Sequence, residues 1–248
     1  MITLTHIRKS FGSNHVLRDI SLHVPKGSSL VVIGGSGTGK SVLLKCILGL
    51  ITPDAGQIDI DGRQGTGLQN PDFLTHFGML FQGGALFDSL PVWQNIAFRL
   101  LQGSNKLSKS DARDLAVEKL IRVGLKPQDA DKFPAELSGG MQKRVGLARA
   151  IATDPSVIFF DEPTAGLDPI MSGVINALIR EIVTEMGATA VTITHDMRSV
   201  HDIADNVAMI YDGLIRWHGP VGDLESAGDP FVDQFIHGRA DGPITTQR

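Results

Sequence analysis

Apolar and polar positions follow two rhythms along this chain. Residues 2–8 and 19–24 alternate with a period of two, and Ile20, Leu22 and Val24 share one face. That alternation predicts two half-buried strands, joined by a loop holding Phe11 and Gly12. Leu30-Val31-Val32-Ile33 is apolar throughout, as a fully buried strand is. The same texture recurs from Phe77 to Phe81, from Val157 to Phe160 and from Ala190 to Thr194. Between these runs the period lengthens to about 3.6, the helical value. One stripe is Val42, Leu43, Ile47 and Leu50; a second is Ala112, Leu115, Ala116, Leu120 and Val123. A third is Val174, Ile175, Leu178, Ile179, Ile182 and Met186. Gly49, Gly124 and Gly187 end the three stripes, where a left-handed cap is placed. Ser108-x-x-Asp111 has the form of a capping box. Pro53 to Gly56 reads as a turn, Gln57 to Ile60 as a strand, and Val207 to Trp217 as a hairpin around Asp212-Gly213.

Strands alternating with helices imply an α/β fold with a mostly parallel sheet covered on both faces. The stretch from Gly83 to about Phe133 is helical in texture and reads as a lobe inserted into that fold. Phe231, Val232, Phe235 and Ile236 form a short amphipathic piece before a polar tail. The chain has 248 residues, enough for one large α/β domain or one domain with an inserted lobe. A net charge of −4 carries no basic field of the kind nucleic-acid binding needs. No apolar run approaches the roughly 18 residues of a membrane span, and the N-terminal stretch lacks the apolar core of a signal peptide. The single cysteine, Cys46, allows no internal disulfide, fits a reducing compartment and falls among core helix positions.

Chemistry first enters at Gly34-Gly35-Ser36-Gly37-Thr38-Gly39-Lys40-Ser41. A glycine-rich turn is one reading of such a stretch. Placed between a buried strand and a helix, G-x-x-x-x-G-K-S is a phosphate cradle. Glycines let backbone N–H groups turn inward, and the helix start adds its positive end. Lys40 would reach the β and γ phosphates and the Ser41 hydroxyl would hold Mg²⁺. Asp161-Glu162 ends a strand of apolar residues, where an acidic group is costly unless a cation is near. Asp161 would bind the hydration shell of Mg²⁺, and Glu162 would polarise water as general base. Ser138 can cap a helix running through Ala150, and Gly139 and Gly140 leave its first N–H groups bare to an anion. A plain helix cap competes with that reading for Ser-Gly-Gly alone. Its position about twenty residues before the acidic strand favours the anion site.

These segments together resemble the ATP-binding-cassette family over almost the whole chain. Gly34 to Ser41 matches the Walker A loop, Leu137 to Met141 the signature motif and Asp161-Glu162 the Walker B end with its catalytic glutamate. Gln82 matches the Q-loop glutamine that reports on Mg²⁺, Ala165 to Asp168 the D-loop, and His195 the switch histidine at the γ-phosphate. Phe11 stands where the family stacks an aromatic on the base, although a lone aromatic there also reads as core. The resemblance implies a P-loop NTPase of RecA-like core (residues 1–83 and 150–227) with an N-terminal antiparallel β subdomain. It also implies a helical subdomain at 84–149 and a C-terminal tail at 228–248. ATP and Mg²⁺ are the implied cofactors. Two chains would pair head to tail, each ATP lying between Lys40 of one and Ser138, Gly139 and Gly140 of the other. Two positions depart from the common pattern: Met141 in place of Gln, and an AGLD D-loop in place of SALD.

The segment GGALFDSLPVWQNIAF after Gln82, the LSGGMQKR signature and the ending DPFVDQFIHGRADGPI are similar to the ATPases of MCE/Mla-type lipid transporters. That resemblance implies a peripheral subunit on the cytoplasmic face of the inner membrane, bound to a permease, with an MCE protein and a small STAS-domain partner. Leu86 and Phe87 fall where the family accepts a helix of the membrane subunit, or within the core of the lobe. Phe231 to Ile236 is expected to dock on a neighbouring subunit. The alternatives are an ATPase of an amino-acid or metal transporter, a soluble ATP-binding-cassette protein, or a binding module without hydrolysis. Lys40, Glu162 and His195 together speak against the last.

Overall fold

The computed structural model describes residues 1–64, 77–102 and 106–245. They form two compact units, residues 1–64 with 193–245 and residues 77–102 with 106–192. Most of the loop expected between Arg63 and Thr75, including Gly65 and Gly67, lies outside the described residues.

In the first unit β1 (Ile2–Phe11) and β2 (Asn14–Val24) form an antiparallel hairpin. The turn is only Gly12-Ser13, with Gly12 at φ 60°, so Phe11 is the last strand residue, paired with Asn14, and not part of a loop. Ile7 and Ile20 are fully buried, which is what period-two alternation gives a sheet with one face covered. β3 (Ser29–Ile33) is buried at all five positions. It runs parallel to β9 (Asn206–Tyr211), which pairs antiparallel with β10 (Leu214–Pro220). β4 (Ala55–Ile60) joins β1 antiparallel, and β5 (Arg63–Gln64) joins β4. Ala55 and Gly56, expected in the turn, thus belong to the strand. The strand order in this unit is β5-β4-β1-β2-β10-β9-β3. α1 (Lys40–Ile47) buries Leu43, Leu44, Cys46 and Ile47. Leu50 leaves the predicted stripe: the chain reverses at Gly49 (φ 74°), and Leu50 is 53% exposed. Burial raises the Cys46 thiol pKa to about 11, consistent with a packing role.

α6 (Met197–Ile203) and α7 (Pro230–Ile236) complete the first unit. Asp229 caps α7, accepting from the N–H groups of Phe231 (2.8 Å) and Val232 (3.3 Å). Val232 is fully buried, the Phe231 ring lies 4.7 Å from Tyr211, and the Arg216 guanidinium covers it at 4.2 Å. Of the apolar residues expected to dock on another subunit, Phe231 lies against the β9–β10 hairpin of its own chain and Val232 is buried, while Phe235 and Ile236 stay half-buried. Gln234 then fixes the tail, donating to the Arg239 and Ile244 carbonyls and accepting from the Ile244 N–H at 2.6 Å.

In the second unit β6 (Phe77–Leu80) pairs parallel with β7 (Val157–Asp161), and β8 (Thr189–Ile193) adjoins β7. β6 stops at Leu80, short of the predicted Phe81, whose ring is 39% exposed. α2 (Val92–Ile96), α3 (Lys109–Arg122) and α4 (Gly139–Ala150) pack on one another. Ser108 caps α3 as predicted: its Oγ accepts from the Asp111 N–H at 3.1 Å and donates to the Asp111 carboxylate. α4 lies tight on β6, since a Cβ on Gly146 would sit 2.7 Å from Leu80 Cδ1 and one on Gly78 would strike the Ala150 carbonyl. α5 (Pro169–Met186) is capped by Asp168 and closed by Gly187 at φ 59°.

Candidate functional site

The predicted site residues divide between the two units. Phe11, Gly34 to Ser41 and His195 belong to the first; Gln82, Ser138 to Gly140, Asp161 and Glu162 belong to the second.

In the first unit the buried β3 delivers the chain into Gly34 at φ 147°. A Cβ there would collide with the Ile210 carbonyl, so only glycine lets the loop pass β9. Gly39, at φ 102°, precedes α1 and offers no side-chain cap. The Thr38 hydroxyl donates to the Gly35 carbonyl at 2.9 Å. Lys40 Nζ donates to the Gly34 and Gly35 carbonyls, both at 2.7 Å, so its ammonium is held over the mouth of the loop. Ser41 is exposed at the helix start. A glycine loop, a helix start, an ammonium and a hydroxyl follow one another here, which is chemistry for a polyphosphate.

A cavity of about 410 Å³ opens beside Ser36, Gly37 and Thr38, walled also by the chain from Ser13 to Val16 and by the β9–β10 turn. Arg18 and Asp212 pair at 2.8 Å on its rim. Phe11 is not among its walls; the ring is 49% exposed, with Lys9 Nζ 5.5 Å from its centre. The same Lys9 pairs with Asp54 at 2.6 Å. His195 is exposed just past β8. The preceding Thr194 donates its N–H to the Val32 carbonyl at 3.4 Å, which carries His195 to the same end of β3 as the glycine loop. Asp196 caps α6 right after it.

In the second unit β7 is buried from Val157 to Phe160 and opens at Asp161, which is half-buried. Glu162 follows at φ 48°, a left-handed conformation that is rare for a residue with a side chain. The Glu162 carbonyl accepts from the Ala165 N–H and from Lys143 Nζ, each at 3.2 Å. Burial lowers the Lys143 pKa, while the charges of Glu162 and Asp161 act in the opposite sense. Ser138 is the N-cap of α4, its Oγ accepting from the Met141 N–H at 3.3 Å. Ser138 and Gly139 are exposed, whereas Gly140 is buried, a Cβ there lying 2.7 Å from Met171 Cε. The start of α4 is therefore capped on one side and open on the other.

Gln82 is exposed and followed by Gly83 and Gly84 in left-handed conformation. Arg149 grips this loop, donating to the Gly84 carbonyl at 2.7 Å and the Ala85 carbonyl at 2.8 Å, and burial lowers its pKa. Phe87 stacks on Phe98 at 4.5 Å yet stays 43% exposed, and Leu86 is half-buried. The segment is partly core and partly surface. The sequence assigns Lys143, Arg149 and Asn95 no individual role. A signal existed: Lys143 and Arg149 fall on a helix rich in small and apolar residues, where a buried charge needs a partner.

Residues 17–165 match the family described as ABC transporter. The chain is 42% identical over 246 residues to the probable ribonucleotide transport ATP-binding protein mkl of Mycobacterium tuberculosis H37Rv, covering 98% of this chain and 68% of that protein. It is 39% identical over 247 residues to the intermembrane phospholipid transport system ATP-binding protein MlaF of Escherichia coli K12, covering 98% and 91%. To the chloroplastic protein TRIGALACTOSYLDIACYLGLYCEROL 3 of Arabidopsis thaliana it is 39% identical over 262 residues, covering 98% and 75%. Among solved structures, a dimeric ATP-binding cassette in a post-hydrolysis state bound to ADP and Pi superposes with a TM-score of 0.80 at 28% identity, covering 89% of this chain and 99% of that one. cbiO1 of Clostridium perfringens, part of the ABC transporter complex cbiONQ, gives 0.81 at 27% identity, covering 96% and 94%.

Proposed function

The chain belongs to the ABC transporter family, and on that premise we propose that it is the ATP-hydrolysing subunit of a transporter that moves phospholipid between membranes. The observation that carries this reading is the likeness to the Escherichia coli phospholipid-transport ATPase, which extends over 98% of the chain, its C-terminal segment included. Residues 1–83 and 150–227 act as the catalytic core, 84–149 as the helical subdomain and 228–248 as the tail.

Each residue takes the role that the resemblance to the family implies. Phe11 stacks on the base. The N–H groups from Gly34 through Gly39 wrap the phosphates, and Lys40 exchanges its loop carbonyls for phosphate oxygens. Ser41, Gln82 and Asp161 supply hydroxyl, amide and carboxylate oxygens, the hard donors that Mg²⁺ takes. When bound, that ion neutralises charge developing on the phosphates. Glu162 accepts the proton of the attacking water and His195 contacts the γ-phosphate. Ser138, Gly139 and Gly140 meet the nucleotide of a second copy, so ATP holds a head-to-tail dimer closed and hydrolysis releases it. The Met141 departure leaves this intact, because backbone N–H groups carry the contact.

The partners follow from the same reading: a second copy of the chain, a permease subunit, an MCE protein and a STAS-domain protein, with attachment at the cytoplasmic face of the inner membrane. Among the described residues no helix is long and apolar enough to cross a membrane. A second reading, ribonucleotide transport, is favoured by the name of the mycobacterial relative at 42% identity.

The test is to purify the membrane complex assembled on this chain and reconstitute it in vesicles. An MCE protein in the complex and ATP-dependent movement of labelled phospholipid are expected. ATP-driven uptake of ribonucleotide without lipid movement would overturn the proposal in favour of the second reading.

A further inference from the structure

Lys143 is a buried cation in the middle of α4, only 4% exposed. An ammonium in that position is costly unless a specific partner holds it. Its partner is the main chain of Glu162, whose carbonyl lies 3.2 Å from Lys143 Nζ. That carbonyl also accepts the Ala165 N–H at 3.2 Å, so the peptide after Glu162 is bonded to α4 and to the D-loop at once. Glu162 needs such support, because at φ 48° it occupies a conformation that persists only where the surroundings over-determine it.

We propose that Lys143 is a positioning residue for Glu162: it fixes the backbone from which the carboxylate is aimed and ties it to the helix that carries Ser138. A hydrophobic residue of similar length would fill the space without the desolvation cost. The charge is explained by what it holds, and not by volume. Burial lowers the Lys143 pKa, and the nearby Asp161 and Glu162 charges favour its protonated form. Ser138 caps the N-terminus of the same α4. In the head-to-tail dimer that end meets the nucleotide of the second copy, while Glu162 serves this copy's own. A shift of α4 on nucleotide binding at one site is then felt as a shift of the carboxylate at the other.

This inference rests on Glu162 as general base, and the experiment separates the two. Steady-state and single-turnover hydrolysis are measured for Lys143→Met, Lys143→Arg, Glu162→Gln and the double variant Lys143→Met/Glu162→Gln in the full chain. Lys143→Met is expected to lower kcat by about 10- to 10²-fold, the scale of a misaimed catalytic group, with the KM for ATP and ATP-driven dimerisation unchanged. Lys143→Arg restores most of the rate, since a guanidinium can donate to the same carbonyl. In the Glu162→Gln background Lys143→Met costs nothing more, because both act on one group. A near-normal kcat for Lys143→Met, a loss that adds in full to Glu162→Gln, or no recovery with Arg would overturn the role of Lys143. Normal hydrolysis by Glu162→Gln itself would instead remove the general-base reading beneath it. Retained ATP binding by Lys143→Met shows that the fold is intact, and Lys143→Gln repeats the measurement if it is lost.

Discussion

Asn95 clasps the backbone of Phe87 from both sides: its Oδ1 accepts from the Phe87 N–H at 2.7 Å and its Nδ2 donates to the Phe87 carbonyl at 3.1 Å. Nδ2 also reaches the Leu90 carbonyl at 2.9 Å, and the side chain is fully buried. One amide thus shapes the loop that follows Gln82. Asn95→Ala leaves these groups without their partner and is expected to cost about 2 kcal/mol. A denaturant midpoint equal to that of the parent chain would contradict this, as would unchanged proteolysis between Gly83 and Leu90.

Glu162→Gln removes the proton acceptor while keeping the shape of the side chain. Hydrolysis is expected to fall by about 10²- to 10⁴-fold, the range for a general base, with ATP binding kept. On gel filtration with ATP the variant should run as a stable dimer, because the nucleotide that holds the copies together is no longer cleaved. Turnover close to that of the parent would refute the role assigned to Glu162.

Ser138→Arg should fail in another way. Ser138 is exposed at the start of α4, and a long side chain there obstructs whatever approaches those N–H groups. Single-chain ATP binding is expected to remain while dimerisation with ATP disappears, and hydrolysis with it. Equilibrium binding of a fluorescent ATP analogue, set beside light scattering, separates the two steps. If ATP still produced dimers of this variant, the partner-site reading would be wrong.

Truncation after Asp229 removes the whole of α7. Val232 is fully buried, and Phe231 is held between Tyr211 and Arg216. Loss of one buried aliphatic side chain and one cation–π contact is expected to destabilise the isolated chain by about 2–4 kcal/mol. The measurement is the thermal midpoint of the chain without partners. An unchanged midpoint would show that these residues matter only to assembly.

Much of the framework was legible because local rules and tertiary packing agree. The Ser108 cap, the Gly187 stop and the hairpin around Asp212-Gly213 all stand where the sequence predicts. Leu50 departs because its apolar character says nothing of the reversal at Gly49, after which it is left exposed. Phe11 departs because the strand runs on to it, since a two-residue turn suffices where a longer loop was expected. The chemistry proposed for Gly34 to Ser41, Asp161 and Glu162 rests on residue type and spacing, as phosphates and protons require particular groups in a particular order.

The sequence by itself determined the α/β class, the capped helices, the phosphate-loop chemistry and the family. These depend on periodicity and on contiguous residues, which a linear string records. Tertiary structure alone decided which buried charges hold the site's backbone. Lys143 meets Glu162 across 19 positions, and Arg149 meets Gly84 across 65. It also decided that Phe231 of α7 lies against Tyr211 and Arg216 of its own chain. Such pairings are set by how α4 and α7 lie on strands distant in sequence, and no local pattern encodes that geometry.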